Sequence, residues 1–468
     1  MTFFLGVDTG GTYTDAVILQ DEEKVIASAK ALTSRQDLAI GISEAVRNVL
    51  NKSSIKPKDI SLVSLSTTLA TNALVEDQGG SVALIFVGFR DGDLTKHKIH
   101  DALKGDPVLQ TKGGHNHAGE ETCQLNIEEI KKWILNLDGI SAFAIASQFA
   151  TRNAAHEVKI IELIKGLTDK PITASHQLSS KLNGPRRALT AVLNARLIGI
   201  IDQLISRCEI TLSRMSINAP LMVVRGDGAL ISSSEAREKP IETILSGPAA
   251  SIVGAKWMTD LTLGFVSDIG GTTTDVALLK DGRPALDPAG ARVGNFRTMV
   301  EAVAVRTTGL GGDSQVHFLS EGLKGGLHLG PKRLVPISLL AHQEPQIHDI
   351  LDEQLRTSAP GEYDGKFVRL ISNPVEHSLT SRDMKVLSRI ERNSKPLKSV
   401  IQTRIEIKSL ERLVSRGIVQ VSGVTPSDAS HVLKNMTTWD GEAAEKAITL
   451  FGRRRKAVSY THLRAHET

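Results

Sequence analysis

The 468-residue sequence has only two cysteines and few aromatic residues, and each scarcity excludes a class of site. Cys123 and Cys208 stand far apart and form no C-x-x-C pair, so the sequence contains neither a zinc ribbon nor a thioredoxin motif. This cysteine usage favours a reducing compartment. Three tyrosines, three tryptophans and a net charge of +4 without a basic stripe do not indicate a nucleic-acid partner.

Long apolar runs are also missing from the sequence. No stretch reaches the roughly 18 uninterrupted apolar residues that a membrane span needs. The N-terminal MTFFLGVD enters a strand pattern at once and leaves no room for a signal peptide. We therefore expect a cytoplasmic protein with no membrane partner, and the chain length suggests two to three domains.

One polar octet, D-x-G-G-T-x-T-D, occurs twice in this sequence. It lies within GVDTGGTYTDAVIL (6–19) and again within SDIGGTTTDVALL (267–279). Each copy stands between two apolar runs, and a polar turn follows, which predicts strand, glycine turn, strand, turn, strand. A Rossmann site is excluded because its glycine turn would open a helix, and a P-loop is excluded because G-K-[ST] is absent.

The residue types in the octet suit phosphate binding. Paired glycines let the backbone approach a ligand, and their N–H groups can bind anionic oxygens. Threonine hydroxyls add donors, and an aspartate at the end of a buried strand can hold Mg²⁺ through its waters. Either copy alone is compatible with a plain hairpin turn, but turn geometry does not explain the same octet in the same setting twice.

Two facing phosphate hairpins from duplicated mixed-sheet domains are the plan of the two-lobed α/β actin/Hsp70/sugar-kinase fold, which is ribonuclease H-like. This fold is our expectation for the chain. Further strings in the sequence narrow the expectation from this fold to one family. They are STTLATNAL (66–74), AVLNARL (191–197), RGDGAL (225–230) and ETILSGPAASIVGA (242–255). With both hairpins, they resemble the A-type chains of the hydantoinase/oxoprolinase family over residues 1 to about 315. The resemblance extends to GIVQVSGVTPSDASHVL (417–433).

The resemblance implies an ATP-dependent cyclic amidohydrolase that phosphorylates a hydantoin or 5-oxoproline ring and opens it. It also implies ATP and Mg²⁺ as cofactors and, as partner, a hydantoinase B-type subunit. Related subunits serve ketone carboxylases, which is an alternative reading. A small-molecule kinase and a nucleotide switch of the same fold stay open as well.

The residue types and the resemblance together predict the roles of individual residues. Asp8 and Asp268 are predicted to be catalytic and to bind Mg²⁺, and Asp227 is predicted to be a base or metal ligand, with a turn role as its alternative. The predicted nucleotide contacts are Gly10, Gly11, Thr12 and Thr14 in the first loop, Gly270, Gly271, Thr272 and Thr274 in the second loop, and Gly309, Gly311 and Gly312 beside the adenosine.

The motifs suggest a division of the chain. We expect an N-terminal lobe at 1–180 with the first hairpin, and a second lobe at 181–345 with the second hairpin and the adenosine motif. A C-terminal helical segment at 346–456 would complete the lobes. Residues 457–468 do not resemble the rest of the chain and are predicted to be a non-native tail.

Three other segments carry weaker predictions. His115 and His117 lie near acidic residues, and we favour neutral surface histidines over a metal or substrate loop. Residues 181–205 predict a long helix after a G-P start, whose Arg186 and Arg187 are expected to be solvated rather than to bind an anion. Thr425 is predicted to be the N-cap of a helix.

Overall fold

The computed structural model describes residues 1–10, 13–33, 38–75, 78–90, 92–271, 273–319, 326–371, 379–415 and 418–453. Three predicted nucleotide contacts, Gly11, Thr12 and Thr272, lie outside the described residues, as does the predicted tail. The chain forms two compact units: unit 1 contains 1–268 and 276–306, and unit 2 contains 269–275 and 307–468. The division expected at 180 and 345 stays a prediction.

Unit 1 contains most of the strands and the longest helix. Its elements up to the middle of the unit are β1 (Phe3–Thr9), β2 (Tyr13–Gln20), β3 (Lys24–Leu32), α1 (Leu38–Ser53), β4 (Ile60–Thr67), α2 (Leu69–Val75), β5 (Val82–Val87), α3 (Asp93–Lys96), α4 (Ile99–Leu103), β6 (Val108–Thr111), α5 (Ile127–Leu135), β7 (Ala142–Ser147), α6 (Ala155–Lys165), β8 (Ile172–Ala174) and α7 (Ser175–Leu178). Then follow α8 (Gly184–Arg214), β9 (Leu221–Val224), β10 (Leu230–Ser232), α9 (Ser233–Glu238), α10 (Ser246–Thr259), β11 (Gly264–Ile269), β12 (Thr274–Lys280), β13 (Arg283–Pro284), β14 (Arg292–Val293), β15 (Phe296–Arg297) and β16 (Val305–Thr308).

The first copy of the octet lies in a six-stranded sheet with the order β10-β9-β4-β1-β2-β3. β1 and β2 pair in antiparallel fashion, with Asp8 opposite Asp15 and Thr9 opposite Thr14. β4 pairs with β1 in parallel and sets Ser66 beside Asp8. The predicted order of strand, glycine turn, strand, turn, strand is confirmed for this copy.

A second sheet of unit 1 has the order β6-β5-β7-β8, and all three pairs are parallel. β5 and β7 are buried at every residue, as expected when both faces of a parallel sheet are covered. Their runs VALIFV and AFAIAS are therefore apolar or small throughout, without the alternation typical of a half-exposed strand.

The long helix α8 begins as the sequence predicts. Pro185 occupies the first turn, and the Asn183 side chain accepts a hydrogen bond from the Arg186 N–H. By length and composition α8 is the one described helix that could cross a membrane, but 72% of the relevant window is buried in unit 1, as in a core helix. The expectation of a solvated Arg187 is wrong, because this side chain is only 1% exposed.

The second copy of the octet joins β11 to β12, and β13 and β16 complete a four-stranded sheet. The predicted strand, turn, strand, turn, strand order is confirmed here as well. An apolar cluster of Ala249, Ile252, Ala277, Leu279 and Val303 packs α10 against this part of unit 1.

Unit 2 combines helices with short sheets. Its remaining elements are β17 (Ser314–Leu319), β18 (Gly326–Arg333), α11 (Ile337–Gln343), α12 (Ile347–Arg356), β19 (Phe367–Leu370), α13 (Ser381–Leu387), β20 (Lys395–Pro396), α14 (Leu397–Val400), α15 (Glu406–Ser415), β21 (Val419–Ser422), α16 (Pro426–Val432) and α17 (Gly441–Arg453). The segment expected to be helical thus also contains a three-stranded sheet, β20-β19-β21. The predicted N-cap Thr425 is confirmed, and it forms a capping box with Asp428.

Candidate functional site

The two octets form the same glycine turn. In the first copy the Gly10 N–H donates to the carbonyl oxygen of Tyr13 at 3.0 Å. In the second copy the Gly270 N–H donates to the carbonyl oxygen of Thr273 at 2.9 Å. These are corresponding positions of the octet, so the sequence repeat is also a structural repeat.

One face of the first hairpin carries its carboxylates. Because side chains alternate along a strand and Asp8 is paired with Asp15, both point to the same face of the sheet. This face forms one wall of a cavity of about 440 Å³ in unit 1. Lys30 lies on the same wall, with its ammonium group 3.3 Å from a carboxylate oxygen of Asp15.

Asp8 lies in an environment that disfavours its ionised form. Burial raises the pKa of the Asp8 carboxyl above its ordinary value, and the neighbouring Ser66 hydroxyl opposes this shift. The negative charges of Asp15 and Asp268 raise the pKa further. Within the described residues, the buried Oδ1 of Asp8 and the buried hydroxyl of Ser66 have no hydrogen-bond partner. A cation at this position would supply a partner for Asp8 and reduce the repulsion between the carboxylates.

Asp268 is close enough to Asp8 to act on its ionisation, although 260 positions separate them in the sequence. The Ser251 hydroxyl on α10 donates to Oδ2 of Asp268 at 2.7 Å. The structure therefore brings together the two aspartates that the sequence analysis predicts to be metal ligands. Both lie in unit 1.

Thr14, a predicted nucleotide contact on the second strand of the first hairpin, points to the other face. Thr14 is fully buried, and its hydroxyl lies 3.0 Å from the hydroxyl of Thr33. The structure thus places the Thr14 hydroxyl away from the Asp8 face. Its predicted contact with phosphate stays a prediction.

In unit 2, the glycine-rich segment 309–314 packs directly against the second hairpin. The N–H groups of Gly312 and Asp313 donate to the carbonyl oxygens of Gly270 and Gly271, at 3.0 and 2.7 Å. The Thr274 hydroxyl donates to the carbonyl oxygen of Leu310 at 2.8 Å.

The contact between these two backbones accounts for one of the glycines. A Cβ atom on Gly311 would lie 2.6 Å from the carbonyl oxygen of Gly270 and from backbone atoms of Gly271. Gly309, by contrast, has open space around its Cα. Close backbone packing explains Gly311, and the predicted adenosine contact of Gly309, Gly311 and Gly312 stays a prediction.

Asp227 is engaged in a turn of unit 1. Its carboxylate accepts hydrogen bonds from Arg225, the shorter at 2.5 Å, and from the backbone N–H of Ala229 at 3.0 Å. Both carboxylate oxygens therefore have protein partners. The geometry supports the turn role for Asp227, and its role as a base or metal ligand stays a prediction.

The two histidines of the 111–121 segment have different environments. His117 is exposed, as expected, but His115 is only 2% exposed, so the expectation of a surface position is wrong for it. The His115 ring packs on His156, with ring centroids 4.4 Å apart. Among the described residues, no group of three or more His, Cys, Asp or Glu side chains has metal-binding geometry.

Three residues of the Asp8 site were not predicted from the sequence. Ser66 and Ser251 lie inside two of the family-like strings, STTLATNAL and ETILSGPAASIVGA, so the resemblance was a usable signal for them. Lys30 lies on β3 outside any motif, and only the strand register identifies it.

Comparison with known proteins finds two matching family models and several related enzyme subunits. Residues 4–167 match the model of the hydantoinase/oxoprolinase N-terminal region, and residues 187–334 match the hydantoinase/oxoprolinase model. The caprolactamase alpha subunit of Pseudomonas jessenii is 26% identical over 355 residues, which cover 70% of this chain and 50% of that protein. The acetophenone carboxylase gamma subunit of Aromatoleum aromaticum is 26% identical over 70% of this chain and 49% of that relative.

A third relative is the 5-oxoprolinase of Dictyostelium discoideum, 24% identical over 72% of this chain and 31% of that protein. The crystal structure of the ATP-dependent caprolactamase from Pseudomonas jessenii superimposes with a TM-score of 0.59, over 70% of this chain and 51% of that one. The chain thus spans about half the length, or less, of these relatives. Since both family models match and together extend over most of residues 4–334, the chain belongs to the hydantoinase/oxoprolinase family.

Proposed function

We propose that this chain is the ATP-using part of an enzyme that opens a cyclic amide by phosphorylating it. The observation that carries the proposal is the pair Asp8 and Asp268, which two copies of one glycine-hairpin octet bring close together. A buried carboxylate oxygen without a partner among the described residues, next to a second carboxylate, is suited to a cation and its bound phosphate. Support also comes from the relatives named caprolactamase and 5-oxoprolinase.

We propose Mg²⁺ as the cation. Magnesium prefers oxygen ligands and keeps several of its waters, so two carboxylates together with the phosphates of the nucleotide suffice to hold it. Bound there, it would neutralise charge on the phosphates of ATP. Asp8 gains most, because its ionised form is otherwise disfavoured by burial and by neighbouring negative charge.

The glycine turns would hold the phosphates themselves. In each turn, the first glycine N–H is used within the hairpin, by Tyr13 or Thr273. The remaining N–H groups of the loops are those proposed to bind phosphate oxygens, as in other anion-binding backbone loops. Positioning and charge neutralisation of this kind are the main contributions of a protein to phosphoryl transfer.

Phosphorylation explains why a lactam hydrolase would need ATP. When the amide oxygen attacks the γ-phosphorus, ADP leaves and the ring carbon becomes electrophilic. Water then adds to this carbon, the C–N bond breaks with a proton going to nitrogen, and an acyl phosphate remains. A second water releases phosphate, so one ATP and two waters give the ring-opened amino acid, ADP and phosphate.

The relative named as an acetophenone carboxylase gamma subunit supports a second candidate, a ketone carboxylase in which an enolate is phosphorylated. Relatives named as subunits support assembly with a partner chain, for which we propose a hydantoinase B-type subunit. A cytoplasmic location stays the prediction from the sequence.

Mg²⁺-dependent ATP turnover by the full chain tests the proposal. It would be measured alone and with a panel of hydantoin, 5-oxoproline, caprolactam, and acetophenone with bicarbonate, using Asp8→Asn, Asp268→Asn and the exposed control Asp59→Asn. Stimulation by a cyclic amide with a ring-opened product supports the first candidate, and a carboxylated ketone supports the second. A stable phosphorylated product would identify a kinase. Failure of the wild-type chain to bind ATP would show that the proposal is wrong.

A further inference from the structure

The four-stranded parallel sheet of unit 1 has a topological switch point. From β5 the chain crosses to β6 on one side, and from β7 it crosses to β8 on the other side. In open parallel sheets, ligands bind at the carboxyl ends of the strands beside such a switch point. Here the relevant edge is formed by the residues that follow β5, β6, β7 and β8.

The segment after β6 lies across this edge. A Cβ on Gly88, after β5, would lie 2.4 Å from the carbonyl oxygen of Gly113, and Gly88 has a φ of +75° that favours glycine. The backbone N–H of His115 donates to the carbonyl oxygen of Gln148, directly after β7. The segment thus carries the His115 side chain to the ends of β5 and β7.

Buried polar atoms without a partner collect at this edge. Within the described residues, they include Nδ1 of His115, the hydroxyl groups of Ser147 and Thr151, and both Nε and Nη2 of Arg187. Ser147 is fully buried and His115 is 2% exposed. Buried polar atoms are almost always hydrogen-bonded, so several unpartnered atoms on neighbouring elements indicate a ligand or ordered water. Of the remaining unpartnered buried atoms, those of Asp8 and Ser66 belong to the proposed phosphate site.

Arg187 is the strongest of these groups, because it is a cation buried without a contacting anion among the described residues. It enters from the first turn of α8 and is 1% exposed. Its Nη1 donates to the carbonyl oxygen of Lys181 at 3.1 Å, and no described carboxylate forms an ion pair with it. The charge of Glu157 acts on Arg187 from nearby, but it leaves Nε and Nη2 without a hydrogen-bond partner. Unsatisfied N–H groups on a buried cation are costly, which favours an anion as their partner.

Glu157 is near this edge, but both oxygens of its carboxylate already accept hydrogen bonds. It accepts from the Ser147 N–H at 2.7 Å and from the ring Nδ1 of His176 at 2.6 Å. The Ser175 hydroxyl and the His176 N–H also donate to it. Glu157 therefore ties the ends of β7 and β8 together and leaves Nε and Nη2 of Arg187 to another partner.

An aromatic ring completes the surroundings of Arg187. Phe89, just after β5, stacks on Phe86 with centroids 3.9 Å apart. A Cβ on Gly184 would lie 2.6 Å from the Phe89 ring and 3.7 Å from Nη2 of Arg187. A forked cation beside hydroxyl groups and a ring is suited to a carboxylate attached to a small carbon skeleton.

We propose that the carboxyl edge of the β6-β5-β7-β8 sheet binds a small organic carboxylate. The carboxylate accepts from Nε and Nη2 of Arg187 and from the Ser147 hydroxyl, while Phe89 contacts its carbon atoms. His115 offers one further polar atom to a substituent of the ligand. The site shares no residue with the proposed phosphate site, so either proposal can fail without the other.

Calorimetric titration and thermal unfolding of the full chain test this proposal, with sodium acetate, sodium benzoate and the sodium salt of 5-oxoproline as probes. Sodium chloride at equal ionic strength controls for general salt effects. We expect wild-type chain to bind at least one probe. Arg187→Met should weaken that binding about tenfold to a hundredfold, and Ser147→Ala should weaken it about fivefold.

Matched variants separate a binding site from a structural cation. Lys181→Met removes a half-exposed cation of the same segment and should leave probe binding unchanged. Without probe, the melting temperature of Arg187→Met gives the baseline from which its probe-induced shift is measured. ATP binding should be equal in both variants and wild type.

Two results would overturn the proposal. One is that none of the three carboxylates binds or stabilises the wild-type chain, which would leave ordered water as the occupant of the edge. The other is that the Ser147→Ala variant and the Arg187→Lys variant both bind the probe as tightly as the wild-type chain does. These two conservative variants decide the matter if Arg187→Met does not fold.

Discussion

The two copies of the octet share a turn but differ in what surrounds it. Gly10 and Gly270 make the same hydrogen bond three residues ahead. Asp8, however, is held against Ser66 and has an oxygen without a partner among the described residues, whereas Asp268 accepts a hydrogen bond from Ser251. The same carboxylate position therefore has an unpartnered buried oxygen in one hairpin and a hydrogen bond from a neighbouring helix on one of its oxygens in the other.

The threonines differ in a similar way. Thr14 in the first copy turns inward to Thr33, while Thr274 in the second copy donates to the backbone of the glycine-rich segment at Leu310. Two octets of one pattern thus acquire different partners, since the turn depends on neighbouring residues and the partners depend on distant ones. A repeat in sequence indicates equal local structure without equal roles.

The largest expected effect comes from removing the two carboxylate charges. Asp8→Asn and Asp268→Asn should each lower Mg²⁺-dependent ATP turnover by about 100-fold or more, because each removes a charge that holds the metal and its phosphates. Steady-state phosphate release measures this, with Asp59→Asn as the exposed control. If only one variant lost activity, the two hairpins would not form a common site.

The next effect concerns the contact between the second hairpin and its glycine-rich segment. Gly311→Ala should destabilise the protein by about 1–3 kcal/mol, because the added methyl group meets the backbone of Gly270 and Gly271. Gly309→Ala is the matched control, since its Cβ would meet open space. Denaturant unfolding of both variants checks this, and equal stabilities would contradict the observed packing.

A smaller effect distinguishes the two threonines. Thr14→Val leaves the Thr33 hydroxyl without its partner inside the protein and should cost about 1 kcal/mol. Thr274→Val removes a more exposed hydrogen bond and should cost about 0.5 kcal/mol. Thermal unfolding of both variants measures the difference. A larger loss for Thr274→Val would reverse the assignment of the buried and exposed hydroxyl groups.

The last prediction concerns pH. Burial raises the folded-state pKa of Asp8 above its ordinary value of 3.8, so its ionisation opposes folding at neutral pH and the opposition disappears in acid. Without divalent cations, Asp8→Asn should therefore have a higher melting temperature than wild type at pH 7. This difference in melting temperature should become smaller towards pH 4.

Added Mg²⁺ and ATP should reduce the difference in melting temperature between Asp8→Asn and wild type at pH 7, because they stabilise wild type alone. A gap that widened on acidification would contradict the unfavourable burial of Asp8. Melting curves between pH 4 and 8, with and without MgATP, provide the data.

Features that depend on neighbouring residues were predictable from the sequence. The two hairpins, the start of α8 and the capping box at Thr425 all follow from hydrogen bonds that close within a few positions. The expectations for Arg187 and His115 failed, because a polar residue in a Gly-rich or helix-initial segment is usually solvated. Nothing near them in the sequence shows that the ends of β5 and β7 bury them.

The sequence by itself determined the family, the repeated glycine turn and the residue types available for a metal, since these depend on short strings of adjacent residues. Tertiary structure alone decided that Asp268 lies within electrostatic range of Asp8, that Lys30 and Ser66 share the face of Asp8, and that Arg187 is buried without an ion pair in the described part of the chain. The physical reason is that burial and charge proximity arise from strand register and from packing between residues far apart in the chain. A short stretch of sequence does not indicate which distant residues will bury it or place a charge beside it.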